Sequence, residues 1–411
     1  MVQTQSSPQS GPQSSPHSSR GRKIAAAAIV AAGVVFVLVL FTVSLTAKDA
    51  ADRDFIGYWA TGQQLARHAN PYDAAAMMRL EQAQGYTLPA PRITPSPPVA
   101  FLLLLPLGWM GAKWGLIAWL LVQMGCVGLS VWLLWRMFGR PDLKQESRPG
   151  SRPNSRPDSR LHFAGLLFAP VLACLEAGQI GIFFLLGMMV FLVFHEKRPA
   201  VAGAGLLLCA LKPHLFLPFV LVLALWMLAH RVQGAKMLAG FLTFLALNTA
   251  VTLWFDPHVW TQYLAMMHGS GIENRLTPTL GEGLREIFGQ RVVWLQWAPE
   301  VVGCVWAVTY FWRRRAHWSW LDEGLRVLLV GVVCTPYEWL TDEAVVLPAV
   351  VAGMFRAEAR GRSLVPIAVA GTVALVELMA GVQITGWGYV WTPLAWLGWY
   401  VYATGGAAPQ A

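Results

Sequence analysis

Of 411 residues only 13% are charged, and the ionisable side chains are unevenly placed. Asp52, Asp54, Asp73, Arg92, Glu176, Lys212, His214, Glu338, Asp342 and Glu343 stand at the edges of apolar runs or in the polar stretch after the first run, with Gln179 beside Glu176. An ionised group near the centre of a bilayer costs on the order of 3 kcal/mol or more, so a functional reading comes first. Carboxylates and a few cations facing one cavity suit a carboxylate base acting on a hydroxyl, with the cations holding a phosphate.

Each of these residues also has a plainer reading. Asp52 reads as a solvated interfacial group. Asp54, just before an aromatic-rich segment, and Asp73, after Pro71-Tyr72, read as helix caps or turn residues. Lys212 can snorkel towards the interface. Glu338 and Asp342, four apart, share a face if helical and could bind a cation or a sugar, or simply form a hydrated helix end. Glu377, deep in an apolar run, is expected to pair with another helix. Asp52-Arg53-Asp54 also forms a DxD triplet of the kind that holds a divalent metal, although Arg53 between the acids opposes a cation.

The elements that must position these groups follow from composition. The chain is 55% hydrophobic with a mean hydropathy of +0.48, and its charged fraction is about half that of a soluble protein. This excludes a soluble multidomain chain, a disordered chain and a fibrous one. Long unbroken apolar runs exclude a transmembrane β-barrel, whose strands alternate. The expected fold is an all-α polytopic membrane protein, and twenty Trp suit aromatic belts at its two interfaces. The formal net charge of +9 sits in short clusters between apolar runs, which orients helices rather than recruiting nucleic acid. The five cysteines lie in or at the ends of apolar runs without a CxxC pair, and read as small core residues.

Residues 1–23 read as a disordered cytoplasmic tail, because Arg20, Arg22 and Lys23 precede the first run, Ile24–Ala47. Residues 48–96 then form a first extracytoplasmic loop. Phe55, Tyr58, Trp59, Gly62 and Leu65 recur there at helical spacing and predict an amphipathic helix on the membrane surface; a second short helix is expected at 73–84. Later runs bring the expected total to about eleven spans, within nine to thirteen, across residues 24–403. Residues 139–160 repeat Ser-Arg-Pro-x and form an Arg/Pro/Ser-rich linker. Its arginines argue for the cytoplasm, but if 98–111 and 114–136 both cross, the linker lies outside; either 98–111 dips without crossing or the charge signal misleads. Residues 255–298 form a second large outer loop, and 404–411 a short tail.

The ordered motifs resemble a known family. Asp54-Phe55-x-x-Tyr58-Trp59-Ala60 is followed by Asn70-Pro71-Tyr72-Asp73, then by Ser96-Pro97-Pro98 leading into a Leu-rich run that ends Pro106-Leu107. Gly178-Gln179-Ile180, Ala202-Gly203, Leu211-Lys212-Pro213-His214 and Thr335-Pro336-Tyr337-Glu338-Trp339 come later, with Pro348 downstream. Over about residues 24–400 the chain resembles the family 87 glycosyltransferases. The resemblance implies a GT-C-like helical bundle and an inverting hexosyltransferase of the bacterial cytoplasmic membrane, with mannose among the sugars the family moves. It implies a polyprenyl-phosphate sugar donor, a glycan or glycolipid acceptor, and no cofactor or metal. Asp54 matches the catalytic acid; Tyr58, Arg92, Gln179, Lys212, His214, Glu338 and Asp342 are the expected donor- or substrate-binding residues. One departure stands out: Leu340-Thr341-Asp342-Glu343 occupies the place where many members carry an Asp-His or His-His pair, which puts mannose or the donor geometry in doubt. The rival from another class is a polytopic transporter or lipid flippase using the same charged cavity, although no half-to-half repeat is evident.

The linker gives the first test. A cysteine introduced by Ser151→Cys is expected to react with a membrane-impermeant thiol reagent only from the cytoplasmic side; labelling of intact cells from outside would reverse the assignment.

Overall fold

Prolines at the first or second position of an apolar run mark where helices begin, because the missing N–H is one the first turn would leave free anyway. Pro199, Pro218, Pro299, Pro348, Pro366 and Pro393 all start helices in this way. The computed structural model describes residues 39, 42–93, 96–139, 160–269 and 277–405, and among these no strand occurs. The chain is all-α. It divides into two compact units, Met1–Thr46 and Ala47–Ala411. Residues 39 and 42–46 are the described part of the first, with helix at 39 and 42–44. The N-terminal tail, most of the run Ile24–Ala47, linker residues 140–159, loop residues 270–276 and tail residues 406–411 lie outside the described residues.

In the second unit the helices used below are α1 (Phe55–Ala66), α2 (Ala74–Gln82), α3 (Ala112–Leu134), α4 (Ala169–Ala177), α5 (Gly181–Phe194), α6 (Pro199–Cys209), α7 (Leu217–Ala229), α8 (Arg231–Phe255), α9 (Val259–Gly269), α10 (Leu280–Phe288), α11 (Ala298–Arg314), α12 (Leu325–Cys334), α13 (Leu347–Ala359), α14 (Val365–Met379) and α15 (Thr392–Thr404). Among the described residues two stretches, Ala112–Gly139 and Arg231–Phe255, are long and apolar enough to cross a membrane, and six shorter apolar helical stretches accompany them. Length and composition of this kind fit a membrane protein.

The first loop differs from its sequence reading. Its first helix forms at Phe55–Ala66, but every residue from Phe55 to Leu65 is buried, so it does not lie on a surface. The reason is small residues on both sides of one contact. A Cβ on Gly62 would fall on the Leu104 carbonyl, and one on Gly108 would fall on the Gly62 carbonyl; without them the helix seats directly on the backbone of residues 104–108. Trp59 Nε1 and Gln63 Nε2 then donate to the Met110 carbonyl at 2.8 and 2.9 Å. Pro98–Trp109, built of short α and 3₁₀ turns, therefore acts as the wall for α1. It is shorter than the ~20 residues a straight crossing helix needs. The second short helix is α2, and Asp73 caps it by accepting from the Ala75 and Ala76 amides. Close backbone contact recurs between α6 and α8, where Cβ atoms on Gly203 and Gly240 would meet the Met237 and Ala200 carbonyls.

At the other end of the sequence, Arg360 and Arg362 donate to the Ala403, Tyr402 and Gly405 carbonyls. These are the free acceptors at the end of α15, where cations are favoured. The five cysteines are unbridged; Cys174 and Cys209 are buried and the other three half-buried. Glu377 has one buried oxygen, Oε2, without a hydrogen-bond partner among the described residues.

Gly62→Val is expected to destabilise the chain by about 1–3 kcal/mol through overpacking. Gly111→Ala, where nothing lies within 4 Å, should leave the melting temperature in detergent nearly unchanged. Equal melting of the two variants would contradict the close contact.

Candidate active site

The helical path breaks between α4 and α5, and the break organises a site. Gly178 takes the left-handed conformation at φ 67°, which only a residue without a Cβ adopts at little cost. A Cβ there would also lie 2.8 Å from Phe55 Cβ, so glycine seats the break on the first turn of α1. The two freed carbonyls are satisfied from α3: Trp119 Nε1 donates to Gly178 O at 2.8 Å and Gln123 Nε2 to Gln179 O at 2.5 Å. With its backbone fixed, the Gln179 side chain bridges two residues of the first loop. Its Nε2 donates to Asp54 Oδ2 at 2.5 Å, and its Oε1 accepts from the Tyr58 hydroxyl at 2.6 Å.

Asp54 occupies the cap position of α1 yet makes no capping hydrogen bond. Its carboxylate is turned to Gln179 and to Arg92, whose Nη1 donates to Oδ1. Its side chain is 17% exposed, so it is sheltered but reachable. Tyr58 stacks on Trp119 with ring centroids 5.8 Å apart. Burial, and next the Asp342 charge, push its phenol above the ordinary range, which keeps it the donor to Gln179. Arg53 turns away and donates to the Leu175 and Glu176 carbonyls, while Asp52 and the Glu176 side chain are exposed. Of the DxD triplet only Asp54 enters the site. Among the described residues no three His, Cys, Asp or Glu side chains are arranged to hold a metal ion.

The second half of the site is the turn Thr335–Thr341 against the segment after α6. Lys212 Nζ forms an ion pair with Asp342 Oδ2, which also accepts from the Trp339 amide at 2.9 Å. The ammonium lies 5.0 Å from the Tyr337 ring centroid and 5.8 Å from that of Trp339, a favourable position for a cation. His214 Nε2 meets the Tyr337 carbonyl at 3.1 Å, a contact that requires the Nε2–H form. This turn is tied to the helix break through Cys174, whose thiol donates to Thr341 O at 2.9 Å, and through Gly181, which lies against the Thr341 carbonyl. A buried platform supports it from behind: Arg285 of α10 pairs with Glu282 at 3.1 Å, and Gln296 Nε2 donates to Pro336 O at 2.9 Å.

The structure thus gathers Asp54, Tyr58, Arg92 and Gln179 in one cluster, and Lys212, His214 and Asp342 in another beside it. Glu338 and Asp342 do not share a helix face, because residues 335–341 form turns rather than helix; Glu338 is buried with Oε2 lacking a hydrogen-bond partner. Glu343 points elsewhere, accepting from Thr392 Oγ1 at 2.6 Å and Trp396 Nε1 at 2.7 Å. The two adjacent acids therefore do different work: Asp342 faces Lys212, and Glu343 fastens α15. Three polar residues that the sequence reading passed over also matter. Gln123 supports the break, Glu81 accepts the Arg92 amide at 3.0 Å, and buried Glu300 leaves both carboxylate oxygens without hydrogen-bond partners. A carboxylate or amide within an apolar stretch was the available signal for Gln123 and Glu300.

A sheltered carboxylate, a bridging amide and a cation beside aromatic rings, carried by apolar helices, form a polar candidate site in a membrane-type α-helical chain. The profile of glycosyltransferase family 87 matches residues 96–340, and the chain belongs to that family. The matched span contains Gln179, Lys212, His214 and Glu338, whereas Asp54, Tyr58 and Arg92 lie ahead of it. No curated protein and no solved structure matches the chain.

Breaking the Lys212–Asp342 pair from one side is expected to be costly. Lys212→Met leaves the Asp342 carboxylate, 5% exposed, without its counter-charge and should destabilise by roughly 3 kcal/mol or more. Lys212→Met/Asp342→Leu should recover most of that loss in thermal unfolding; an additive pair of losses would contradict the coupling.

Proposed function

We propose that this glycosyltransferase moves a hexose from a polyprenyl-phosphate donor to a hydroxyl of a glycan or glycolipid. The reaction is assigned to the extracytoplasmic face of a bacterial cytoplasmic membrane, with the N-terminus in the cytoplasm. The observation that carries this reading is the Asp54 carboxylate: it stands at a helix start without capping it, and faces a sheltered site shared with Gln179, Tyr58 and Arg92.

Asp54 takes the proton of the acceptor hydroxyl as that oxygen attacks the anomeric carbon. The bond from that carbon to the phosphate oxygen breaks, its electron pair leaves with the phosphate, and the new bond forms on the opposite face, so configuration inverts. Lys212, with His214 beside it, offsets the charge that grows on the departing phosphate, and Gln179 holds Asp54 in orientation. A donor whose leaving group is already lipid-linked needs no nucleotide-binding fold. An apolar cavity of about 310 Å³, lined by Cys209, Pro213, Phe216, Phe219, Met237 and Phe241 among others, adjoins the Lys212–His214 segment and suits a hydrocarbon chain of such a donor.

The test is transfer by the purified protein from a panel of polyprenyl-phosphate sugars in detergent, where no gradient can drive transport. Asp54→Asn is expected to lower kcat by about 10²–10⁴-fold with donor binding and thermal stability retained. Unimpaired transfer in that variant would remove Asp54 from the base role, and absence of transfer from every donor would reject the donor class.

A further inference from the structure

Two complementary atoms near the proposed base are buried and unused. Glu81, on α2, is fully buried. Its Oε2 accepts the Arg92 backbone amide at 3.0 Å, while its Oε1 has no hydrogen-bond partner. Arg92 donates Nη1 to Asp54, and its Nε is also buried without a hydrogen-bond partner. A buried carboxylate oxygen and a buried guanidinium N–H left unsatisfied on two residues already bonded to each other are costly unless some state of the molecule joins them.

We propose that Glu81 is a positioning residue that offers the Arg92 guanidinium a second seat, so that Arg92 exchanges between Asp54 and Glu81 according to whether Glu81 carries a proton. With Glu81 neutral, Arg92 stays on Asp54, lowering its basicity and filling the place an acceptor hydroxyl would take. With Glu81 ionised, the charge draws Nε to Oε1 and frees Asp54 to accept a proton. Only a proton moves in the switch, leaving Glu81 for solvent as Arg92 turns. Burial pushes the Glu81 carboxyl up to about 7, against the opposing effect of the Arg92 amide, which brings the exchange into the physiological range. The charged and titratable groups around it are few. Arg92 and Tyr86 come from the segment after α2, with the guanidinium 5.8 Å from the Tyr86 ring. Asp52 and Asp54 precede α1, Asp52 acting on Arg92, and the Lys48 side chain lies beside Gly85. Burial also lowers the Arg92 guanidinium, yet it stays protonated across this interval.

This inference rests on the reading of Asp54 as the base, and the experiment separates the two. In the transfer assay with mannosyl polyprenyl phosphate, or whichever donor of the panel is used, wild-type kcat/KM is expected to rise about tenfold between pH 6 and 8. Glu81→Gln keeps an acceptor for the Arg92 amide but never ionises. It should stay at the low value and vary less than about twofold over that interval. A wild-type limb retained in Glu81→Gln, or a loss that is equal at every pH, would overturn the proposal while leaving Asp54 as base. The second arm needs no substrate. Because the Glu81 pKa is raised above its ordinary value, the stability linked to its neutral form is full at low pH and is lost as pH rises through about 7. Melting temperature, referenced to Glu81→Gln, should therefore fall between pH 6 and 8, and fall more steeply in Arg92→Gln, which has no guanidinium to offer Glu81. Equal slopes in wild type and Arg92→Gln would overturn the exchange, even if the chain transfers no sugar from any donor and the donor reading fails.

Discussion

A helix that stops among packed apolar neighbours leaves carbonyls that water cannot reach, and the rest of this site follows from how one such stop is satisfied. At Gly178–Gln179 the two free carbonyls accept from Trp119 and Gln123 of α3. Those bonds cross from one helix to another, so they fix the break relative to α3, and the left-handed glycine fixes it on Phe55. Gln179 is then held at its backbone and free only at its side chain, which spans Asp54 and Tyr58. A fixed amide with one donor and one acceptor in use is a stronger orienting device than a flexible side chain on a continuous helix.

Charge in the site is balanced locally. Arg92 faces Asp54, Lys212 faces Asp342, and Glu343 is met by a hydroxyl and an indole N–H. Balanced pairs limit the cost of burial and leave groups that can be re-paired when substrate arrives. Glu338 and Glu300 lie outside this scheme, each buried with carboxylate oxygen that has no hydrogen-bond partner among the described residues. The turn carrying Glu338 is held by the Glu282–Arg285–Gln296 platform at Pro336 and by Cys174 at Thr341, so the position of the Lys212–Asp342 pair depends on two segments far apart in sequence.

Much of the fold was legible in the chain. Apolar runs bounded by prolines and basic clusters became helices, and Asp73 became the cap its Pro-Tyr-Asp context suggested. The exceptional acids and bases of an apolar chain led to Asp54, Arg92, Gln179, Lys212, His214 and Asp342. Other features were hidden for identifiable reasons. The amphipathic pattern of Phe55–Ala66 suggested a surface, because periodicity reports which side chains are apolar and not whether a glycine-lined wall covers the rest. Asp342 and Glu343 are neighbours with the same charge, and nothing in sequence tells which one faces a lysine and which an indole. Glu81 carries no local signal in the sequence, because only the fold brings the Arg92 amide onto it.

The amino-acid sequence by itself determined the class of molecule and the short roster of residues able to do chemistry. Composition and the length of apolar runs are properties of the chain alone, and ionisable groups are conspicuous against so few charges. Only the tertiary structure decided how the roster divides: which carboxylate stays free of its cap, which acid meets a cation, and which pairs hold other elements together. Those assignments depend on contacts between residues as far apart as Asp54 and Gln179, or Lys212 and Asp342. Such contacts exist only once the helix break, the glycine contacts and the proline-started helices have set the distances between them.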